Sequence, residues 1–177
     1  MLHTSTASKL DERDLPAAPT VVQVERLANN DTAEVLEFLG QRPIHTVAMM
    51  SLIHDNGIVS PFNRGTFYGC RNANGQLEGV ALVGHATLME TVSDRALAAL
   101  AQVARECSST HMIMGEKERV ADFWSHYSEA GRRQRLTCRE WLFELTRPVD
   151  AREAVVELRL AQASELDLVM PVQGELA

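Results

Sequence analysis

The stretch around residues 67 to 84 constrains the fold more than any other part of the sequence. Residues 67–71 and 77–84 are both strand-like, and Asn72-Ala73-Asn74-Gly75 stands between them. Asn and Gly at these places are typical of a tight turn, because both tolerate left-handed backbone. The pattern predicts an antiparallel hairpin, and therefore a sheet.

Helix and strand signals flank this hairpin on both sides. Before it, we predict one strand and two helices, at residues 21–27, 31–40 and 43–54. After it, strands and helices alternate at residues 86–91, 93–106, 111–114, 116–129 and 135–145. This order predicts an α/β protein of the α+β kind, with a mixed, largely antiparallel sheet and helices on both faces.

Local signals predict where the first helices begin and end. Asp31 is followed three residues later by Glu34. We expect the Asp31 side chain to accept hydrogen bonds from first-turn amides, while Glu34 reaches back in a capping box. Gly40 is expected to end this helix. Pro43 suits the first turn of the next helix, and Asn56-Gly57 a left-handed stop.

Composition and charge exclude several classes of protein. The net charge is -7, and general binding of nucleic acid requires a basic surface. No apolar run approaches the length of a membrane span, so we expect no membrane partner. Residues 1–20 are expected to be a flexible tail. Cys70, Cys107 and Cys138 are an odd set without C-x-x-C spacing, which favours reduced thiols and a cytoplasmic location.

The last part of the chain predicts the start of a second domain. Residues 154–160 read AVVELRL, a strand pattern, and residues 161–177 read as the opening of a helix. Residues 146–153, which include Pro148, form the expected linker. We expect residues 154–177 to be the first strand and helix of an incomplete second domain, whose missing remainder would be a partner of the first.

Three stretches resemble the GCN5-related N-acetyltransferase (GNAT) superfamily. They are GTFYGCRNANGQLEGVALVG at residues 65–84, VADFWSHYSEAGRRQ at 120–134 and VVELRLAQASELDLVM at 155–170. They resemble the central hairpin, the late helix and the first strand and helix of a fresh domain. The resemblance implies a tandem protein that transfers acetyl from acetyl-CoA to an amine, with a degenerate GNAT-like first half at residues 21–145.

The sequence departs from the family pattern where the cofactor would bind. The family holds the pyrophosphate with an Arg/Gln-x-x-Gly-x-Gly/Ala loop, and this chain has no such loop between His85 and Ser93. Glu90 adds a negative charge there. Trp124 also stands where a family Tyr often supplies a proton. The departures imply that this chain is inactive or weakly active, with acetyl-CoA a cofactor of the intact protein and not of this chain.

Should activity remain, a few residues are the candidates for it. His85 or Glu90 would act as the general base, and Tyr127 would donate a proton. The backbone of Leu82, Val83 and Gly84 would bind the cofactor. Each has a structural alternative, which is a polar residue at a strand end for His85 and a solvent-facing carboxylate for Glu90. His45 and His54 lack the spacing of a metal pair, so no metal site is predicted.

Non-enzymatic functions stay open beside the acetyltransferase. The domain would then be a small-ligand sensor or a dimerisation domain on the same scaffold. An exposed edge of the last strands would suit a homodimer, since an unpaired edge invites pairing. Arg132, Arg133 and Arg135 form a basic cluster for an anion or a domain contact, or a solvated loop. Trp141 is expected either to fill space beside the sheet or to contact the missing domain.

Overall fold

The computed structural model describes residues 22–128, 133–147 and 159–176. The chain divides into two compact units, Met1–Leu142 and Phe143–Ala177, and each is described by itself. The predicted tail, most of the predicted linker and most of the predicted strand at residues 154–160 lie outside the described residues.

The first unit is built around a sheet of five strands. Its strands are β1 (Gln23–Arg26), β2 (Gly65–Arg71), β3 (Leu77–Gly84), β4 (Ala86–Thr91) and β5 (Met112–Met114). They lie side by side in chain order. The pairs from β1 to β4 are antiparallel, and β5 pairs in parallel with β4. The predicted α+β class, with a mixed and largely antiparallel sheet, is confirmed.

Helices connect and cover these strands. In the first unit they are α1 (Thr32–Leu39), α2 (Pro43–Asn56), α3 (Asp94–Glu106) and α4 (Lys117–Tyr127), and the second unit contains α5 (Leu166–Leu176). α3 joins the parallel strands β4 and β5, since such strands need a crossover connection. The predicted positions of these helices are confirmed, with shifts of a few residues at their ends.

The hairpin turn forms as its residues predict. The side-chain oxygen of Asn72 accepts hydrogen bonds from the backbone N–H groups of Asn74 at 2.9 Å and Gln76 at 3.1 Å. Gly75 has a φ of 80°, which a residue with a side chain rarely adopts. At the other end of β3, a Cβ on Gly84 would lie 2.2 Å from the carbonyl oxygen of Arg64. Only glycine therefore fits where β2 and β3 approach here.

Two apolar layers cover the sheet, one on each face. Alternate residues of β3 point to opposite sides, as strand geometry requires. Ala81 and Val83 join the layer formed with α3 and α4, whereas Val80 and Leu82 join the layer formed with α1 and α2. Helices on both faces, as predicted, follow from this alternation.

The start of α1 differs from its prediction. Asp31 makes no side-chain cap for α1, because a 3₁₀ turn at Asn29–Asp31 precedes the helix. The Asp31 carboxylate instead accepts from the backbone N–H of Ala28 at 2.7 Å. Glu34 does not reach back, because both its carboxylate oxygens accept from Arg71 at 2.7 Å. The predicted capping box is wrong in its partners, since a distant arginine and the extra turn compete for both carboxylates.

The predicted long strand at residues 135–145 is also wrong. The described residues 133–147 contain no strand, and all of them are exposed. Trp141 is 85% exposed, so it does not fill space beside the sheet. A strand pattern in the sequence becomes a strand only when a neighbouring strand accepts its hydrogen bonds. No such neighbour pairs with this segment in the described part of the chain.

In the second unit, hydrogen bonds to one carboxylate precede the helix. Its described part begins at Phe143–Arg147 and resumes at Arg159. The backbone N–H of Gln162 donates to the carboxylate of Glu165 at 2.9 Å, and Arg159 also donates to this carboxylate at 2.7 Å. These bonds lower the pKa of Glu165 to about 2, with Arg159 as the larger cause. The sequence predicts a helix here, and α5 begins at Leu166.

Candidate functional site

The candidate site lies where β4 and β5 separate. These parallel strands pair only through Ala86–Met112 to Leu88–Met114. β4 then continues through Met89, Glu90 and Thr91, while the chain after β5 turns away through Gly115 and Glu116 into α4. The carboxyl ends of neighbouring parallel strands are a common place for ligands in α/β proteins. This opening is therefore the first place to look for chemistry.

Arg42 reaches into this opening from the turn between α1 and α2. Its Nη1 donates to Oε1 of Glu90 at 3.1 Å, and its Nη2 donates to Oε2 of Glu116 at 2.8 Å. We call these three residues the Arg42 cluster. Glu90 is 8% exposed, so the cluster places a nearly buried carboxylate beside its cation. One arginine thereby links α2 to β4 and to the start of α4.

The backbone around Arg42 is held in place by Thr46. The carbonyl of Arg42 accepts from the hydroxyl of Thr46 at 2.9 Å and from the backbone N–H groups of His45 and Thr46, both at 3.1 Å. Thr46 is fully buried, and its hydroxyl also lies 2.7 Å from the carbonyl oxygen of Leu39. Because these bonds fix the turn, the backbone of Arg42 is held where its side chain reaches the strands.

The hydrogen bond between Arg42 and Glu116 shifts the pKa of both groups. The hydrogen bond from Arg42 lowers the pKa of Glu116, and the same bond raises the pKa of Arg42. Each shift favours the charged form of the group that carries it. Glu116 and Arg42 therefore stay ionised at neutral pH and are unsuited to donating or accepting a proton in a reaction.

The remaining space in the opening is small. Its cavity has a volume of about 20 Å³ and is lined by Arg42, His45, Met89, Glu90, Thr91, Gly115, Glu116 and Arg119. A cavity of this volume holds about one water molecule. Thr91 is 4% exposed, and its hydroxyl has no hydrogen-bond partner among the described residues. A water in this cavity would fit both the space and the unpaired hydroxyl.

The start of α3, next to the end of β4, is also occupied by a carboxylate. Ser93 caps this helix, since its hydroxyl accepts from the backbone N–H of Ala96 at 3.3 Å. The same hydroxyl donates to Glu78 at 2.7 Å, and Arg95 donates to Glu78 at 2.9 Å. Arg95 first, and then Ser93, lower the pKa of Glu78 to about 2. A helix start is favourable for an anion, and here the protein supplies that anion itself.

The predicted catalytic residues do not come together. His85 is exposed in the turn between β3 and β4, with its ring 5.2 Å from that of His111. Glu90 lies near the other end of β4, five residues further along the chain and therefore roughly 16 Å away along the strand. Tyr127 is the last residue of α4 and packs among Phe123 and Trp124, with ring centroids 6.3 Å and 5.6 Å away. Among them, only Glu90 lines the opening.

The predicted cofactor-binding backbone lies in the middle of the sheet. Leu82, Val83 and Gly84 pair with Phe67, Thr66 and Gly65 of β2. Leu82 also pairs with Leu88 of β4. These three residues are therefore paired within the sheet, and they lie away from the opening between β4 and β5.

Two site residues escaped sequence reasoning. Arg42 looks like an ordinary residue before a helix, and Glu116 like an ordinary acidic residue at a helix start. The available signal was weak: Arg42 stands directly before Pro43, in the short turn between two predicted helices, where a long side chain can reach a neighbouring element. Of the arginines in the predicted basic cluster, Arg133 and Arg135 are exposed, and Arg132 lies outside the described residues.

A second arginine cluster lies away from the opening. Arg71 donates to Glu25 at 2.5 Å, to Glu34 at 2.7 Å and to the carbonyl oxygen of Gly75 at 2.9 Å. We call Arg71, Glu25 and Glu34 the Arg71 cluster. It joins β1, α1 and the end of β2, and it does not line the cavity between β4 and β5.

Other chemistry is sparse in the described residues. An open groove of about 200 Å³ lies beside Leu27, Ile58, Pro61 and Phe67, and its lining is mostly apolar. Burial raises the pKa of the Cys70 thiol to about 11, which makes it a poor nucleophile. The described part of the chain contains no group of His, Cys, Asp and Glu side chains arranged to hold a metal ion. Among its helices, none is long and apolar enough to span a membrane.

Known proteins provide no family or function for this chain. No protein-family model, no curated protein and no solved structure matches the chain.

Proposed function

We propose that residues 21–145 form a degenerate GNAT-like domain that neither binds acetyl-CoA nor transfers acetyl. In an intact acetyltransferase, transfer of acetyl from acetyl-CoA to an amine would then belong to another domain. Cys70, Cys107 and Cys138 form no disulfide in the described residues, and this supports a cytoplasmic location as part of the proposal.

The order of elements supports the family resemblance. The described chain runs β1, α1, α2, β2, β3, β4, α3, β5 and α4. This agrees with the order on which the resemblance rests, from the first strand through the late helix. The absent last strand, predicted at residues 135–145, is the main departure.

The chemistry of the opening does not fit acetyl-CoA. The pyrophosphate of the cofactor needs free backbone amides and positive charge. The opening instead holds the carboxylates of Glu90 and Glu116, and the start of α3 is faced by the carboxylate of Glu78. The cavity of about 20 Å³ leaves no room for a pantetheine chain.

A single observation carries the proposal. Arg42 bridges Glu90 and Glu116 across the opening, so an arginine that is ion-paired with a nearly buried carboxylate occupies the space that a ligand would need. A buried charge that loses its partner is costly. Entry of an anionic cofactor would have to break this pairing and would bring further negative charge beside two carboxylates.

Calorimetric titration of acetyl-CoA and of CoA into the full chain tests the proposal. We expect no heat of binding at ligand concentrations near the millimolar range, and no release of CoA with a panel of amines. An Arg42→Ala/Glu116→Ala variant removes the bridge, and Glu34→Gln in the Arg71 cluster is the matched control. Micromolar binding by the unmodified chain, or its turnover of an amine, would contradict the proposal.

The non-enzymatic alternatives differ in their support. A small-ligand sensor would need a concave pocket, and the groove of about 200 Å³ is smaller than the roughly 300 Å³ at which ligand pockets begin. A dimerisation domain needs an unpaired surface. The exposed edge of β5 offers such a surface.

A further inference from the structure

The two edges of the sheet are protected very differently. β1 carries Glu25 and Arg26, and Glu25 is engaged by Arg71. Charged side chains on an edge strand discourage further strand pairing. β5 reads Met-Ile-Met and has no charge, and the sheet of the described residues ends at this strand. The β5 edge therefore presents free backbone groups without the usual protection.

The side chains of β5 are also incompletely covered. Ile113 pairs with the buried Thr87 and packs against the α3–α4 layer. Met112 and Met114 point to the opposite face, where they are 45% and 39% exposed. This side of β5 therefore combines an open edge with two uncovered apolar side chains.

Residues 136–145, which we call the apolar segment, also expose apolar side chains that lack a covering surface. Large apolar side chains here are exposed and are not covered by any described residue, namely Leu136, Trp141, Leu142, Phe143 and Leu145. Trp141, Phe143 and Leu145 alternate, so they would share one face of an extended strand. Exposed aromatic residues in such a row mark a surface that is meant to be covered.

We propose that the apolar segment of one copy pairs as a strand with the β5 edge of a second copy, in a reciprocal homodimer. In such a dimer, Trp141 and Phe143 of each copy cover Met112 and Met114 of the other. A second copy is the occupant because this one chain carries both surfaces, and a twofold axis satisfies both at once. The proposal is independent of whether the chain binds acetyl-CoA.

The area is sufficient for a stable dimer. Each buried aromatic side chain removes roughly 150–250 Å² from water. Two such side chains in each of two copies, with the surfaces that they cover, give a total of about 1,000 Å² or more, which is the lower limit for a specific interface. Hydrogen bonds along the new strand pairs add to this, because both sets of backbone groups are otherwise exposed to water.

Sedimentation velocity of the full chain tests the dimer. We expect a dimer at micromolar concentration. Trp141→Ser/Phe143→Ser and Met112→Lys/Met114→Lys should each raise the dissociation constant by roughly thirtyfold or more, as loss of central anchors does. Val59→Ser/Phe62→Ser is the control, since Val59 and Phe62 are exposed apolar residues outside both surfaces, and it should remain dimeric. Circular dichroism of each variant verifies the fold.

Mixing the two double variants tests the pairing itself. The Met112→Lys/Met114→Lys chain retains an intact apolar segment, and the Trp141→Ser/Phe143→Ser chain retains an intact β5 edge. Together they can form one of the two strand pairings, so we expect a heterodimer in the mixture and monomers in each separate solution. A monomeric unmodified chain, a dimer that survives either double variant, or a mixture without heterodimer would overturn the proposal.

Discussion

The Arg42 cluster and the Arg71 cluster use the same chemistry at two different places. In each, one arginine bridges two glutamates from different elements. Arg71 is 18% exposed and also binds the carbonyl of Gly75, and it ties β1 and α1 to the hairpin. Arg42 is 37% exposed, but its partner Glu90 is almost buried and borders a cavity.

The difference shows that position, and not the ion pair itself, decides what such a cluster does. The Arg71 cluster lies among elements that are already adjacent in the sheet or beside it, so it reinforces the fold. The Arg42 cluster spans an opening between two strands that have ceased to pair. It therefore closes a potential site. The carboxylate of Glu90 is nearly buried as a result, which is energetically unfavourable.

The largest expected effect is the loss of Arg71. Arg71→Met removes several charge-assisted hydrogen bonds, and it leaves Glu25 and Glu34 without their cation. We expect a decrease of about 2–3 kcal/mol in the free energy of unfolding, since hydrogen bonds to charged groups contribute more than neutral ones. Urea denaturation at neutral pH measures it. A decrease no larger than that for Arg42→Met would remove the proposed distinction between the clusters.

Loss of Arg42 should cost less stability. Arg42→Met breaks the bonds to Glu90 and Glu116, of which only Glu90 is nearly buried. We expect a decrease of about 1–2 kcal/mol, mostly from the unpaired carboxylate of Glu90. The same urea series provides the measurement, with Arg42→Lys as the control that retains charge but loses the two-sided geometry.

Neutralising the orphaned carboxylate distinguishes the clusters more sharply. Glu90→Gln in the Arg42→Met background should recover about 1 kcal/mol, because a neutral amide is less costly to bury than an unpaired charge. Glu34→Gln in the Arg71→Met background should recover less, since Glu34 is half exposed and water already solvates it. Equal recovery in the two backgrounds would show that burial of Glu90 is unimportant.

The smallest expected effect is on the pH dependence of stability. Arg71 lowers the pKa of Glu34, and Arg42 lowers that of Glu116. A carboxylate with a lowered folded-state pKa stabilises the fold above its unfolded pKa, and this contribution is lost as the pH falls through the folded value. Glu78, with a pKa of about 2, should lose its contribution between its ordinary value of 4.5 and about 2.

Thermal melting between pH 6 and pH 3, in steps, measures this slope. Glu78→Gln should flatten it most, and Glu34→Gln and Glu116→Gln should flatten it slightly, since both side chains are more than 40% exposed. An acid slope that is unchanged in Glu78→Gln would mean that Arg95 and Ser93 do not hold its carboxylate in solution.

Local patterns predict most of the fold correctly. The Asn72–Gly75 turn, the Ser93 cap and the Gly57 stop each depend on residues within a few positions of one another. Such interactions are visible in a sequence because the partners are neighbours in the chain. The Asp31 capping box fails for the opposite reason, since Arg71 competes for Glu34 from 37 residues away.

The candidate site is less predictable than the fold. Glu90 is recognisable from the sequence as a charge near a strand end, but its role is not, because that role depends on Arg42. His85 and Tyr127 belong to residue types that often act in catalysis, yet their elements hold them away from the opening. Residue type alone gives no information on which side chains share a cavity.

By itself, the sequence determined the sheet, the helices that cover it and the alternation that separates its two apolar layers, because each of these depends on short-range spacing and turn chemistry. Only the tertiary structure decided that Arg42 meets Glu90 and Glu116, which are 48 and 74 residues away in the chain. It also decided that the strand pattern of residues 135–145 stays unpaired. Both outcomes depend on which surfaces meet after folding, and hydrogen-bond partners far apart in sequence leave no local pattern.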